Sequence, residues 1–201
     1  MIQADLHIHT KYSLDSSINP KSLVDQLYSH ESIRVIAITD HNTVEGYHNV
    51  RELAAPYPDI LVIPGIEIST PLGDLIVLGT DEVPPKLPAA DEVISFAKEK
   101  DGVVIVPHPY REYGLGSSAK LYAVDAIETL NGSTSLHVNK LAENLAKEMG
   151  LPSVAGSDAH NVDQLWTVRN EIQASLDVDE VLKAIRRGQV KPFRTGKSIR
   201  F

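Results

Sequence analysis

The sequence predicts an α/β fold built around a mostly parallel β-sheet. Its 201 residues suffice for one domain with a sizeable core, and we expect residues 1–201 to form a single domain. Apolar runs of strand length alternate along the chain with amphipathic stretches of helix length. Such alternation predicts a parallel sheet that is either closed into a barrel or open and doubly wound.

In the first half of the chain, local signals delimit each predicted element. Pro20 favours the start of a helix, and Thr43 can cap the next one. Residues 34–39 are almost entirely apolar, as expected for a strand that is covered on both faces. The short link TPLG between two apolar runs indicates a hairpin or a bulged extension of the third strand. The predicted elements are strands at 2–8, 34–39, 59–69 and 73–79 and helices at 20–32 and 44–55.

The second half of the chain continues the alternation. A proline-rich loop, residues 84–90, precedes a helix whose end is marked by Gly102. The basic tail from Lys191 onward is expected to cross the barrel or lie on its surface. The predicted elements are strands at 103–109, 122–131, 152–160 and 169–174 and helices at 90–102, 138–150 and 177–188, which makes about seven β–α units in all.

Composition excludes several functional classes. The chain has no cysteine, so disulfides and thiolate metal sites are excluded and a cytoplasmic location is favoured. No apolar run approaches the ~18 residues of a transmembrane helix, and Asp5 interrupts any apolar core of a signal peptide. The formal net charge of -8 argues against a protein that binds nucleic-acid duplexes, while a site whose bound cations attract a phosphate remains compatible with it.

Side chains that can bind metal ions recur at one end of most predicted strands. In a barrel, the carboxyl ends of the strands meet at one face, so residues distant in sequence converge there. Two histidines of the first strand are two positions apart, and such residues point to the same side of a strand. The residues at the strand ends are His7, His9, His41, Glu67, His108, Asp158 and His160.

Several of these residues also have a structural interpretation. His7 and His9 alone could be hydrogen-bonded structural histidines, but Asp158 and His160 repeat their spacing and favour a metal site. Glu67 is costly to bury unless it binds a metal or pairs with an arginine. The metal interpretation is therefore preferred for the set as a whole.

Four further histidines are considered individually and fall into two groups. His41 follows Asp40 and could simply begin a helix, whereas His108 is fixed between two prolines; both are predicted to be ligands. His30 and His48 lie within predicted helices among polar neighbours and are predicted to be surface residues.

The ligand types predict the kind of metal centre. Histidine and carboxylate ligands without cysteine suit Zn, Mn or Fe, and carboxylates can bridge two ions. The candidates exceed what one tetrahedral ion needs, so we expect two or three divalent ions. Paired ions about 3.5–4 Å apart can activate a water and stabilise both the attacking and leaving oxygens of a phosphoester displacement.

Five motifs occur in the order found in the PHP (polymerase and histidinol phosphatase) family, and the chain resembles that family over residues 5–160. The motifs are DLHIHT, TDH, the glutamate of GIEI, the histidine of VPHP, and GSDAH. The resemblance implies a distorted seven-stranded (β/α)7 barrel of the TIM-barrel type with a trinuclear metal site. It implies the ligand groups His7, His9, Glu67 and Asp158 for one ion, Glu67 and His108 for a second, and Asp15, His41 and His160 for a third.

The family's ninth ligand follows the fifth strand, where two residues compete. Asn131 ends the predicted strand and His137 follows it. We predict His137, because imidazole is the better metal ligand; the alternative is that His137 is a surface residue at the start of a helix.

Other residues are expected to assist. Arg111 is predicted to bind phosphate oxygens as a catalytic residue, with Arg169 and Lys197 as alternative cations and a plain surface role as the other interpretation of Arg111. His160 or His41 could assist proton transfer, but both are occupied as predicted ligands, so we expect little separate general-acid help. The acids that precede two of the ligands, Asp5 and Asp40, are expected to accept hydrogen bonds from imidazoles.

The resemblance implies a metal-dependent phosphoesterase that hydrolyses a phosphomonoester or a nucleotide or oligonucleotide phosphate by a metal-bridging hydroxide. The expected partner is a small phosphorylated substrate or a nucleic-acid end, with no membrane. The loops are of moderate length, so we expect an open mouth with residues 111–119 as a flap. The alternatives are a non-catalytic metal-binding module that supports a partner protein and a metal-dependent hydrolase of a non-phosphate bond.

Overall fold

The computed structural model of the chain describes residues 1–196, which form nine strands and five α-helices. The strands are β1 (Ile2–Ile8), β2 (Ile33–Ile38), β3 (Leu61–Thr70), β4 (Gly73–Leu78), β5 (Val103–Val106), β6 (Ala126–Asn131), β7 (Ser153–Gly156), β8 (Val168–Ile172) and β9 (Val190–Arg194). The helices are α1 (Pro20–Ser29), α2 (Glu45–Ala54), α3 (Ala90–Glu99), α4 (Leu136–Met149) and α5 (Val178–Arg186).

The strands form one sheet in the order β7-β6-β5-β4-β3-β2-β1-β8-β9, which curls into a nearly closed barrel. The α/β prediction is confirmed, but the prediction of seven strands is wrong. The TPLG link makes a tight hairpin, so β4 runs antiparallel to β3 as a separate strand. The basic tail also forms a strand, because β9 pairs antiparallel with β8 through Val190 to Arg194.

The barrel closes at the ends of β1 and β7. Ile8 bridges Ala159 in parallel, the His9 N–H donates to the Ala159 carbonyl, and the Asp158 N–H donates to the His7 carbonyl. Nearer the amino end of β1, its first residues pair with β8. There the buried Asn170 side chain forms hydrogen bonds with backbone groups of Ala4 and Ala155. A side-chain amide therefore completes the wall where direct strand pairing stops.

The core inside the barrel lies toward the amino ends of the parallel strands. One buried cluster takes apolar residues from β1 to β8, and α5 adds Val181, Leu182 and Ile185 to it. Packing of α5 against this cluster fills that end of the barrel. The opposite end of the same strands carries the polar residues described below.

The helices begin and end where local chemistry favours it. The Asn19 side chain caps α1 with Pro20 at its first turn, and α4 runs from its Ser135 cap to Gly150, whose φ is 65°. Asp177 accepts from the Glu180 N–H at the start of α5. Among the described residues, none of the helices has the length and apolarity needed to cross a membrane.

Candidate metal centre

A small polar cleft opens at the carboxyl ends of the parallel strands. It has a volume of about 160 Å³ and is lined mainly by histidines and carboxylates from separate strands. The lining includes seven of the predicted site residues: Asp15, His41, Glu67, His108, Arg111, Asp158 and His160.

Glu67 is the centre of this cluster and is completely buried. Its Oε2 lies 3.3 Å from His7 Nε2, 3.1 Å from His9 Nε2 and 3.3 Å from His41 Nδ1. Its Oε1 lies 3.1 Å from His108 Nε2. Four imidazoles from three different segments thus converge on one carboxylate.

Asp158 is the second buried carboxylate of the cluster. Its Oδ1 lies 3.4 Å from the Nε2 atoms of both His7 and His9 and 3.5 Å from His160 Nδ1. The Arg111 guanidinium donates to the other oxygen, Oδ2, and is also 3.4 Å from Asn131 Oδ1. Arg111 is therefore held inside the cleft wall and is still partly open to solvent.

Asp15 forms a more exposed edge of the site. Its Oδ2 lies 3.4 Å from His41 Nε2 and 3.2 Å from His160 Nε2. The Asp15 side chain is 55% exposed, against 29% for His41 and 25% for His160. These three residues, which the resemblance assigns to a third ion, do lie together.

An irregularity in β1 turns its histidines into the site. Ala4 and Leu6 belong to the barrel core, so strand alternation would point His7 and His9 away from it. The pairing of β1 with β2 shifts register between Asp5 and Ile8, and such an irregularity re-aims the following side chains. As a result the two Nε2 atoms face each other at 3.0 Å.

Residues outside the cleft fix the imidazole orientations. His7 Nδ1–H donates to Glu128 Oε1 at 2.9 Å, since a carboxylate can only accept. Ser13 gives its hydroxyl proton to Asp40, so its oxygen accepts from His9 Nδ1 at 3.2 Å. In their neutral form, which is the one that binds metal, both histidines therefore present a bare Nε2 to Glu67 and Asp158.

Glu128 also supports the other side of the cluster. Its Oε2 accepts from the His108 backbone N–H at 2.8 Å and from Asn131 Nδ2 at 2.9 Å. The Asn131 amide reaches Asp158 Oδ2 as well, at 3.2 Å. One buried acid thus links β1, β6 and the residues that follow β5.

The charges in the cluster shift one another's pKa values. Burial alone would lower the pKa of His7, but Asp158, Glu128 and Glu67 raise it well above its usual range. Burial opposes the shift of His9 in the same way, and hydrogen bonds to Asp158 and Glu67 raise its pKa to about 9. Against the effect of burial, the histidines hold the pKa of Glu67 and of Asp158 well below the usual range. For the less enclosed His41, burial prevails and the pKa is lowered.

The backbone adopts uncommon conformations at two ligand positions. His108 has a φ of 26° and Asp158 a φ of 52°, both in the left-handed region that L-residues rarely occupy. Gly156 is required nearby, because a Cβ there would lie 2.2 Å from His7 Cβ and 2.3 Å from Glu128 Oε1. Such strain concentrates at functional sites.

The donor set fits divalent cations. The imidazole nitrogens and carboxylate oxygens direct their lone pairs at the same positions in the cleft. These electron-rich atoms repel one another unless protons or cations lie between them. Three groups offer ligand atoms that all lie within 4.8 Å of one another and use residues predicted as ligands: His9–His41–His160, His7–His108–Asp158 and His7–His9–Glu67. Imidazole and carboxylate ligands suit Zn, Mn or Fe.

Not every predicted residue reaches the cluster. His137 is exposed at the second position of α4 and belongs to none of the metal-capable groups among the described residues, whereas Asn131 contacts Asp158. The structure therefore does not bring His137 to the cluster, because the helix starts just before His137 and turns it outward. Arg169 lies on β8 against Phe193, and Lys197 lies outside the described residues.

Two further expectations need correction. The Asp5 carboxylate accepts backbone N–H groups of Ser157 and His7, not an imidazole proton, and burial raises its pKa to about 7. The predicted flap at 111–119 is held by hydrogen bonds from Gly114 N to Arg111 O and from Gly116 N to Pro109 O, and residues Gly116–Leu121 form a 3₁₀ helix.

Sequence reasoning missed two buried acids at the site. Glu128 is enclosed within β6 and gives no strand-end signal. Asp74 is the second residue of β4, and it forms a further metal-capable group with His41 and Glu67. Because β4 is antiparallel, its amino end faces the cleft, so the hairpin interpretation of TPLG is the sequence signal that points to Asp74.

Sequence comparison identifies two matching regions. A profile described as the PHP domain matches residues 5–106, and one described as PHP-associated matches residues 137–190. An uncharacterized protein of Methanocaldococcus jannaschii, MJ1587, is 34% identical over 157 residues, which cover 72% of this chain and 89% of that protein. A second uncharacterized protein of the same organism, MJ0417, is 30% identical over 180 residues, covering 84% of this chain and 68% of its own length.

Solved structures share the fold at low sequence identity. PsfC from Pseudomonas syringae has a TM-score of 0.74 and 18% identity, covering 97% of this chain and 92% of its own. An amidohydrolase from Chromobacterium violaceum, solved with bound sulfate and no metal, has a TM-score of 0.66 at 17% identity, covering 79% and 88%. A candidate metal-dependent phosphoesterase from Bifidobacterium adolescentis has a TM-score of 0.64 at 15% identity, covering 78% and 87%.

The sequence profile spans the segments that carry His7, His9, Asp15, His41 and Glu67, and the fold brings these residues together at one end of the barrel. The chain therefore belongs to the PHP family.

Proposed function

We propose that this protein is a metal-dependent hydrolase, and more specifically a phosphoesterase that acts on a phosphomonoester or on the terminal phosphate of a nucleotide or oligonucleotide. The observation that carries the proposal is the convergence of four imidazoles on the buried Glu67 beside a partly exposed Arg111. Family membership supports the metal-dependent part, and the shape and charge of the cleft support the phosphate part.

The cleft accommodates a small anionic group. Its volume of about 160 Å³ suffices for a phosphate and leaves the rest of a substrate outside. The surrounding carboxylates would repel an anion unless bound cations outweighed them. This agrees with the formal net charge of -8, which disfavours binding along a nucleic-acid duplex but not binding of one phosphate end.

Most of the cleft residues would bind metal ions. His7, His9, Glu67 and Asp158 would hold one divalent ion, His108 would hold a second with Glu67, and Asp15, His41 and His160 would hold a third. Bound ions would supply Lewis-acid activation of a water and of the phosphoryl oxygens.

His160 is better placed as a ligand than as a separate acid. Its Nδ1–H donates to the Asp158 carbonyl at 3.0 Å, which directs Nε2 toward Asp15 and the cleft. The chain therefore offers little separate general-acid help from this histidine.

Arg111 would bind the remaining phosphate oxygens. Its guanidinium is 37% exposed and fixed by Asp158, so it can donate further N–H groups into the cleft without losing its position. A lysine at this position would keep the charge but lose the planar fork of donors.

The proposal is tested by metal analysis followed by a substrate screen. The purified protein is loaded with Mn²⁺ or Zn²⁺, and phosphate release is measured with histidinol phosphate, nucleotides, nucleoside bisphosphates and 5′-phosphorylated oligonucleotides. Full metal loading without phosphate release from any of them would overturn the phosphoesterase assignment. Amide substrates included in the screen test the alternative hydrolase activity.

Variants of Arg111 test the substrate-binding part. We expect Arg111→Ala to raise KM for the active substrate by about tenfold to a hundredfold, since hydrogen bonds between charged groups contribute about 1.5–3 kcal/mol. Arg111→Lys should be intermediate. The exposed Arg187 provides the matched control, whose alanine variant should behave as wild type.

A further inference from the structure

Asp74 is a buried carboxylate at the cleft that the proposed ligand groups leave unused. It is 6% exposed and lies opposite Ser69 in the β3–β4 hairpin. Its backbone N–H donates to the Tyr113 carbonyl at 2.7 Å. Gly73 permits this close approach: its φ is 139°, and a Cβ there would lie 2.8 Å from the Tyr113 oxygen. The backbone that carries Asp74 is therefore fixed.

Asp74 differs from Glu67, Asp158, Glu128 and Asp15 in having no cationic partner. Glu67, Asp158, Glu128 and Asp15 each lie within 4.0 Å of an imidazole or guanidinium nitrogen. Among residues 1–196, no lysine, arginine or histidine nitrogen lies that close to the Asp74 carboxylate. A buried carboxylate without a counter-charge is costly to maintain.

The spacing around Asp74 suits a cation better than a hydrogen bond. One ligand atom each from His41, Glu67 and Asp74 lies within 4.8 Å of the others. Ligand bonds to such ions are about 2.0–2.2 Å long, so two ligands on opposite sides of one ion are about 4 Å apart. We infer that Asp74 is a metal ligand that binds a divalent cation together with Glu67 and His41.

The surroundings of Asp74 agree with this inference. Burial and then the nearby negative charge of Glu67 raise the pKa of Asp74 to about 6, against the smaller opposing effects of His108, Ser69 and His7. Two carboxylates therefore lie close together on the neighbouring strands β3 and β4. A divalent cation at this point would relieve their repulsion.

The composition of this ligand group indicates its preferred ion. Two carboxylates and one imidazole are a harder set of ligands than the alternative His9–His41–His160 group, which consists of imidazoles alone. Carboxylate and water ligands suit Mn²⁺, whereas imidazoles suit Zn²⁺. Asp74 thereby favours Mn²⁺ over Zn²⁺ on the His41 side of the cleft.

The test compares metal binding by wild type, Asp74→Asn and Asp74→Glu, with Asp81→Asn as the control because Asp81 is an exposed acid just beyond β4. Titration calorimetry with Mn²⁺ and with Zn²⁺ gives affinity and stoichiometry, and thermal unfolding with and without metal reports the fold. The inference rests on the metal-binding part of the proposed function, so Glu67→Ala is measured in parallel.

We expect Asp74→Asn to weaken one class of Mn²⁺ site by about tenfold to a hundredfold and Zn²⁺ binding by less, by analogy with the loss of groups that support a ligand. Asp74→Glu should retain part of the Mn²⁺ affinity. The metal-free Tm of Asp74→Asn should not fall, because an unpaired buried charge is removed.

The outcomes separate the two levels of inference. If wild type binds metal, Glu67→Ala does not, and both Asp74 variants match wild type, Asp74 is not a ligand and only this inference is overturned. Equal losses of Mn²⁺ and Zn²⁺ affinity together with a lower metal-free Tm would also overturn it, because they indicate a structural role. If wild type binds no metal, the proposed function fails as well.

Discussion

The candidate site has an enclosed half and an open half, and the two differ in what holds them in place. His7, His9, Glu67, His108 and Asp158 are all buried, at 7% exposure or less. Their orientations are set by an outer layer of hydrogen bonds through Glu128, Ser13 and Asn131. The enclosed half is thus preorganised by the protein itself.

In the open half, Asp15 has no comparable support. Asp15 is more than half exposed, and its described ion-pair contacts are with His41 and His160 only. Exposed ion pairs contribute little to stability. We therefore expect the two halves to respond differently to mutation. Loss of a candidate ligand in the enclosed half should reduce both stability and metal binding. Loss of a candidate ligand in the open half should reduce metal binding alone.

The largest effect is expected for Glu67→Gln. Removal of one partner from a buried ion cluster leaves uncompensated charges, so we expect about 3–5 kcal/mol of destabilisation in the metal-free protein at neutral pH. Metal binding should be lost together with activity. Urea unfolding and metal analysis measure both effects, and the exposed His137→Ala provides a control that should match wild type. A stable Glu67→Gln protein with full metal content would remove the distinction between the halves.

A smaller effect is expected for Glu128→Gln, which tests the outer layer of the enclosed half. Glu128 accepts hydrogen bonds with both oxygens, but glutamine has one acceptor oxygen and an NH₂ group that would face a donor. We expect metal affinity to fall by about tenfold to a hundredfold without a change in stoichiometry. Calorimetric titration measures this, with the exposed Glu99→Gln as control. Unchanged affinity would show that His7 needs no support.

The pH dependence of the metal-free protein should also report the enclosed half. The pKa of His9 is raised from 6.5 to about 9, and that of His7 is raised as well, so their contribution to stability is fully present below pH 6.5 and is lost as the pH rises toward about 9. The lowered pKa values of Glu67 and Asp158 imply a second loss of stability in acid, as those carboxylates become protonated.

Metal affinity should follow the opposite course between those pH values. Imidazoles must lose their protons to bind an ion, so affinity should rise from pH 6.5 to about 9 while metal-free stability falls. Urea midpoints and calorimetric titrations at several pH values measure the two trends. Parallel trends would contradict the assignment of His7 and His9 as protonated in the metal-free cluster.

The smallest effect on the fold is expected for Asp15→Asn. Because this carboxylate is 55% exposed, we expect its loss to change the unfolding free energy by less than about 1 kcal/mol. Metal affinity of one site should nevertheless fall, since His41 and His160 keep no other acid between them. Thermal unfolding and metal stoichiometry measure the two effects. Destabilisation comparable to that of Glu67→Gln would show that the open half is structural.

The sequence allowed the ligand positions to be predicted wherever a parallel strand ends, because such ends share one face of a barrel. His7, His41, Glu67 and Asp158 follow that rule and lie together. It could not locate Asp74, whose strand runs in the opposite direction, or Glu128, which lies within a strand. The α/β class and a strand at 73–79 followed from periodicity, but β9 depended on tertiary pairing with β8 that periodicity does not encode.

The seam between Ile8 and Ala159 also has a consequence for folding. Candidate ligands on its two sides, His7 and His9 near the amino terminus and Asp158 and His160 far along the chain, meet where the first and seventh strands join. Anything that binds both sides acts as a cross-link that converts most of the polypeptide into one large ring. Unfolding separates the two sides of the seam, so an ion bound across it is bound by the folded chain alone, and the free energy of unfolding would rise with the concentration of that ion.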